Sequence, residues 1–335
     1  MKMPEVVAFG EPLIGFYEVR KSERKKLFFR MTIGGDTSNV MLQLAKLGHQ
    51  VEYITKLGDD YFGKIILKTW RDWGVGYSNV RIDPNHSTGV YFAIFDETGK
   101  HKFVYKRENS AAANFTVEDA KSLTLNGVKV FHFSGISQAI SKNALEASFY
   151  LAKQFKSNGS LISYDLNYRE LLWSKDYFRS VANYTIKTYA DFVSLNLEEA
   201  EILGILKPSE EIVKNILNYG VKMVALKLGE NGCILGDQSG EIVHEKPRKV
   251  KVVDTVGAGD AFTAGIISGF LKGMKIKELA QYANLIASIV CTAVGSTEGQ
   301  PTKEVLNKFY GNGGDMKLKR REKSRIKSNF KEGGE

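Results

Sequence analysis

The chain has 335 residues, 43% of them apolar, which is enough for one large α/β core or two smaller ones and excludes disorder of the whole. Its net charge of +9 is unevenly spread. Residues 315–335 carry eight Lys or Arg against four Asp or Glu, so this tail holds +4 and the first 314 residues +5, which weakens a nucleic-acid reading.

Along the chain, an opening strand at 6–9 is followed by two stretches, 12–34 and 87–108, rich in aromatic and β-branched residues. The second contains the turn signal Asp96-Glu97-Thr98-Gly99-Lys100, and together they predict a small β-sheet lid inserted into a larger domain. Between them the apolar spacing predicts helices at 39–47, ended by Gly48, and at 62–73, ended by Gly74. Thr116-Val117-Glu118-Asp119 reads as a capping box, after which strands and helices alternate. A strand at 128–133 leads to a helix after Ser141, and a strand at 161–164 to a helix near Trp173. A strand at 191–195 meets a helix opened by Asn196, and a helix from Ser209 precedes a strand at 223–226. Helices at 257–271 and 276–294 close the series. Such alternation predicts a mostly parallel sheet covered by helices on both faces, with ligands at the carboxyl ends of its strands.

Cys233 and Cys291 each lie in an apolar run and share no metal-ligand spacing, which argues against a disulfide framework or a zinc site. The five histidines, His49, His86, His101, His132 and His244, are equally scattered, and His132 reads as a satisfied core residue. Residues 1–10 lack the succession of a signal peptide and no apolar run reaches the roughly 18 residues of a membrane span, so a cytoplasmic address is expected.

Two glycine patterns compete for phosphate. Gly58-Asp59-Asp60-Tyr61-Phe62-Gly63-Lys64-Ile65 has Walker A spacing, but Ile65 stands where a hydroxyl must hold magnesium, and two carboxylates would face the phosphates. It reads as a turn opening the next helix. In Asp254-Thr255-Val256-Gly257-Ala258-Gly259-Asp260, small residues leave the amides of a helix start uncovered, and those amides with the helix dipole stabilise negative charge. Asp260 in the first turn can take the proton of a hydroxyl attacking phosphorus, or can simply cap the helix. The segment alone supports both roles equally.

That segment, with Gly34-Gly35-Asp36-Thr37-Ser38-Asn39 and Gly58-Asp59-Asp60-Tyr61-Phe62-Gly63, resembles the two signatures of the ribokinase-like, or PfkB, carbohydrate kinases. The resemblance runs from about residue 4 to residue 310 and leaves 311–335 as a basic appendage. It implies a ribokinase-like fold, ATP and Mg2+ as cosubstrate and metal, Asp260 as base, and an anion hole at Gly257, Ala258 and Gly259. It also implies a lid that closes over the sugar and often joins subunits of a homo-oligomer. Asn196 and Glu199 match a motif that arranges magnesium-bound water, Glu199 acting indirectly; a helix cap followed by a first-turn acid is the other reading. Lys227-Leu228-Gly229-Glu230-Asn231-Gly232 is similar to the family's nucleotide loop, and Asn284 to a position near the adenine.

Cationic groups near such a site point to an acidic sugar, because an arginine fork binds a carboxylate with two parallel bonds. Gly89-Val90-Tyr91-Phe92, the run Tyr105-Lys106-Arg107-Glu108-Asn109-Ser110-Ala111 and Asp165-Leu166-Asn167-Tyr168-Arg169 resemble 2-keto-3-deoxygluconate kinases. The resemblance implies that Gly34, Gly35, Asp36, Asn39, Tyr91, Tyr105 and Arg107 surround the sugar acid. Arg169 then lies where its carboxylate and the phosphates converge, with Asn167 on the nucleotide side. Fructokinase is the neighbouring expectation. A nucleic-acid binder acting through the tail and a nicotinamide-dependent dehydrogenase are the expectations from other classes, the latter disfavoured because Phe262 replaces the third fingerprint glycine.

Overall fold

Alternation of side chains along buried strands decides the architecture. A computed structural model describes residues 3–19, 27–95, 101–123 and 127–311. In chain order its strands are β1 (Val6–Phe9), β2 (Leu13–Val19), β3 (Phe28–Gly34), β4 (Val51–Gly58), β5 (Val75–Gly76), β6 (Val80–Asp83), β7 (Val90–Phe95), β8 (His101–Lys106), β9 (Val130–Ser134), β10 (Leu161–Asp165), β11 (Phe192–Asn196), β12 (Met223–Lys227), β13 (Cys233–Asp237) and β14 (Ile242–Glu245). The main sheet has the order β14-β13-β12-β11-β10-β9-β1-β4-β5, and β6 continues the edge by pairing with the later half of β4. All pairs from β12 to the β4 edge are parallel, whereas β13 and β14 are antiparallel.

Successive residues of each parallel strand enter different cores. Val7, Phe9, Phe131, Phe133, Ile162 and Tyr164 pack with the helices Lys142–Ser157, Lys175–Thr188 and Ser209–Leu217. Val6, Ala8 and Val130 face the helices Asp36–Lys46 and Ala258–Leu271 through Val40, Met41, Leu44, Ala264 and Ile267. Both faces are therefore covered, as the alternation predicts.

The lid is a separate four-stranded sheet of order β3-β2-β7-β8. Its inner face gathers Leu13, Tyr17, Tyr91 and Ala93, with Tyr105 and Val256 packed against them, so the lid touches the segment before the Ala258–Leu271 helix. The turn signal at 96–100 lies outside the described residues, and so does the basic tail beyond the helix Lys303–Gly311.

Local caps end most helices where the sequence predicts. Gly74 takes the left-handed conformation, Ser141 caps Lys142–Ser157, and Thr116 and Asp119 form their capping box. Gly58 and Gly63 flank a turn in which Asp60 caps Tyr61–Trp73, its carboxylate accepting from the Gly63 and Thr88 amides at 2.7 Å each. Two boundaries differ. The helix expected from residue 39 begins at Asp36, and the helix expected to reach 294 stops at Val290. There the chain turns back, the Val253 amide bonding the Cys291 carbonyl and Asp254 accepting from the Gly295 amide. Among the described residues, no helix is long and apolar enough to cross a membrane.

Candidate active site

The strands β9, β10, β11 and β12 deliver Ser134, Asp165, Asn196 and Lys227 at their carboxyl ends. Over these ends stand the N-termini of two helices. One starts at Asp36 and the other at Ala258, and their first turns meet: Asn39 Nδ2 donates to Asp260 Oδ2 at 2.7 Å across 221 residues of sequence.

The Ala258 helix starts without a side-chain cap, so no N-cap side chain stands over its first turn, although the Ala258 amide itself donates to the Thr255 carbonyl at 3.2 Å. Gly257 is left-handed, at φ 80°, and a Cβ there would lie 2.7 Å from the Ser296 carbonyl oxygen. A Cβ on Gly259 would lie 3.9 Å from Lys227 Nζ, which places an ammonium beneath the same turn. Part of the Asp260 surface still faces the cleft. Burial and the neighbouring Asp36 carboxylate push its pKa up to about 8, against the Asn39 hydrogen bond and the Lys227 charge, which favour ionisation. A group shifted in this way can exchange a proton within reach of neutral pH.

Asp36 is buried beside it. Ser134 donates a short hydrogen bond to its Oδ2, and Asn167 Nδ2 lies 3.4 Å from the same oxygen, while Oδ1 has no partner. Burial raises its pKa, and Arg107 and Arg169 act in the opposite direction. Asn167 itself sits at φ 40°, a conformation that turns its amide toward Asp36. Gly35 approaches Glu11 so closely that a Cβ would meet its carbonyl oxygen at 2.3 Å.

The lid supplies the opposite wall. Gly34 lies against the Tyr91 ring, Tyr91 donates to the Tyr17 hydroxyl at 3.2 Å, and the Tyr105 ring centroid is 5.9 Å from that of Tyr91. Arg107 meets a partner that the spacing of charges along the chain does not reveal: it forms a close ion pair with the fully buried Glu11, which also accepts from Ser110. Arg169 is exposed, with Nη1 donating to the Tyr168 carbonyl at 2.7 Å.

Asn196 and Glu199 form a capping box. Asn196 Oδ1 accepts from the Glu199 amide at 2.9 Å and Glu199 Oε2 from the Asn196 amide at 2.8 Å, while Glu199 Oε1 accepts from the Tyr168 amide at 3.0 Å. Both Glu199 oxygens are engaged, and burial raises its pKa against the pull of Lys227. Gly229 opens the turn between β12 and β13, and Gly232 closes it against the Glu245 carbonyl. Asn284 Nδ2 donates to that carbonyl at 3.0 Å, so it holds the chain end of β14 from below.

Glu11 as a partner and Thr263 escape the sequence pattern, and Asp165 enters it only inside a longer motif. Asp165 did carry a signal, as a carboxylate at the carboxyl end of an apolar strand. His132 is satisfied, 3.1 Å from Ser163 Oγ, with burial lowering its pKa to about 4. Both cysteines are free, and Cys233 is buried.

A carboxylate at an uncapped helix start, above an ammonium and beside a sheet lid, is an arrangement suited to transferring an anionic group to a hydroxyl. Comparison with known proteins agrees. The chain is 31% identical over 307 residues to 2-dehydro-3-deoxygluconokinase of Bacillus subtilis, spanning 91% of this chain and 95% of that protein. It is also 31% identical over 314 residues to fructokinase-1 of Zea mays, spanning 90% and 96%. The crystal structure of 2-dehydro-3-deoxygluconokinase from Thermotoga maritima aligns with a TM-score of 0.84 at 26% identity, covering 92% of this chain and all of that one (100%). Residues 3–303 match the pfkB family carbohydrate kinase model, and the chain is therefore a sugar kinase belonging to that family.

Proposed function

We propose that this kinase moves the γ-phosphoryl group of ATP onto the 6-hydroxyl of 2-keto-3-deoxygluconate, with Asp260 as the base. The observation that carries the reading is the Asn39-bonded Asp260 at an uncapped helix start. Asp260 accepts the hydroxyl proton while the sugar oxygen bonds to phosphorus and the bridging oxygen leaves with ADP. The amides of Gly257, Ala258 and Gly259 receive the charge that builds on the transferring group.

Mg2+ would neutralise phosphate charge when bound with the nucleotide. Among the described residues no group of three or more His, Cys, Asp or Glu could hold an ion, and both Glu199 oxygens bond amides. Glu199 and Asn196, at the junction of β11 and the helix that follows it, are the residues that would order water around such a metal. On this reading the turn from Lys227 to Gly232 and the β14 end held by Asn284 border the nucleotide.

Arg107, Arg169, Tyr91 and Tyr105 support the sugar acid. The pair between Arg107 and Glu11 favours a second reading, a neutral hexose such as fructose, because, of these two arginines, it leaves Arg169 alone to meet a carboxylate. Rates of ATP consumption on 2-keto-3-deoxygluconate, fructose and ribose separate the two. One charge-assisted contact to the acid predicts a kcat/KM advantage of about tenfold or more over fructose. A faster rate on fructose would establish the second reading.

Two arginine variants refine this. Arg169→Ala is expected to lower kcat/KM for the acid by about tenfold more than for the neutral sugars. Arg107→Ala removes the partner of a buried carboxylate, and breaking such a pair costs about 3–5 kcal/mol. Its thermal unfolding temperature should fall together with activity on every sugar.

A further inference from the structure

We propose that Asp165 is a positioning residue that holds the Lys227 ammonium beneath the phosphate-binding helix start and beside Asp260. The inference rests on Asp260 acting as the base. Asp165 is 3% exposed at the end of β10, and its two oxygens accept from Lys227 Nζ at 2.8 and 3.0 Å. The Thr263 hydroxyl bonds Oδ2 at 2.8 Å and lies 3.2 Å from Ser194 Oγ. Thr263 stands three residues after Asp260 on the same helix. One carboxylate thus ties the end of β12 to the turn that carries the base.

A lysine side chain is flexible, and an ammonium in a phosphate cleft would ordinarily follow the ligand or reach for water. Here the bidentate contact fixes it. Burial opposes its charge, yet Asp165 and Glu199 hold the Lys227 pKa above its ordinary value, so it stays cationic through the physiological range. A fixed cation under amides that already point at phosphate stabilises the charge developing in transfer without reorganising.

The same two residues act on Asp260 with opposite sign. Asp165 disfavours its ionisation and Lys227 favours it. The other groups bearing on Asp260 are Asp36 and Asn39 from the Asp36–Lys46 helix and Tyr53 from β4. Behind them, Arg107 and Arg169 act on Asp36, and Glu199 acts on Lys227.

The test is the pH dependence of kcat/KM for the wild type, Asp165→Asn, Lys227→Gln and the double variant, with thermal unfolding measured alongside. The acid limb should move down by about one pH unit in Asp165→Asn and up by about one in Lys227→Gln, the scale of a neighbouring charge. In the double variant the limb should return close to the wild-type position while kcat stays down by about 10²-fold, because no cation remains under the amides. Limbs that stay put, or move the same way in both single variants, would overturn the proposal and leave Asp165 a structural residue. If only the charge-neutral double variant folds, a wild-type kcat in it overturns the proposal and a 10²-fold loss upholds it. An active Asp260→Asn enzyme would instead remove the base itself, so the two failures are distinguishable.

Discussion

Asp260→Asn is expected to lower kcat by about 10³-fold while the sugar still binds, the scale of a lost general base. The substitution keeps size and shape. Asn39 can still donate to the remaining carbonyl oxygen, so the meeting of the two helix starts survives. What disappears is the ability to take a proton. In the wild type, kcat/KM should climb as pH rises through about 8, where Asp260 loses its proton, and level above it. In the variant the residual rate should lack that limb.

Stability should move the other way. The folded pKa of Asp260 lies above its ordinary value of 3.8, so the fold prefers the protonated form. The stability this group contributes is present below its unfolded pKa and is lost as pH rises through about 8. At pH 9 the neutral asparagine should therefore unfold at a higher temperature than the wild type, and near pH 4 the two should nearly coincide. A variant that loses activity and also unfolds earlier at pH 9 would point to damaged packing instead of a missing base. Near-normal turnover would dismiss Asp260 from the role.

What the sequence displays and what it conceals divide along local and distant interactions. Ser141, Thr116, Asn196 and Gly74 act within one helical turn, and each ends or starts its helix as predicted. The uncapped start at Gly257 is equally local, which is why the beginning of that helix was legible. Gly35 is not: it caps the Asp36 helix only because Glu11 lies against it, so the apolar spacing placed that helix three residues late. Charge pairing was hidden for the same reason. Arg107 is 96 positions from Glu11 and Asp165 is 62 from Lys227, and nothing in their neighbourhoods reveals either partner. The fold brings these distant residues together, so the motif residues read more clearly than the partners that hold them. The antiparallel edge of β13 and β14 was likewise overlooked: no strand was assigned to the apolar run that follows Gly232.

Gly257→Ala should reduce kcat by about 10²-fold or more without unfolding the protein, the size of effect seen when one donor to a developing anion is lost. Two physical effects combine at this position. A left-handed alanine costs about 1–2 kcal/mol, and its Cβ would meet Ser296 backbone atoms at 2.7 and 2.8 Å. Backbone cannot rotate aside as a side chain can, so the helix start has to shift. Gly240 separates the two effects. It has a similar φ of 86°, with nothing within 4 Å of its Cβ, and it lies in the β13–β14 turn. Because β13 runs antiparallel to β12, that turn is at the end of the sheet opposite Lys227 and the helix start. Gly240→Ala, which carries the left-handed strain alone, should lower the unfolding temperature by less than Gly257→Ala and leave kcat intact. If both variants lost turnover equally, backbone strain would be sufficient explanation. A loss confined to Gly257→Ala ties the rate to where the first amides of this helix sit.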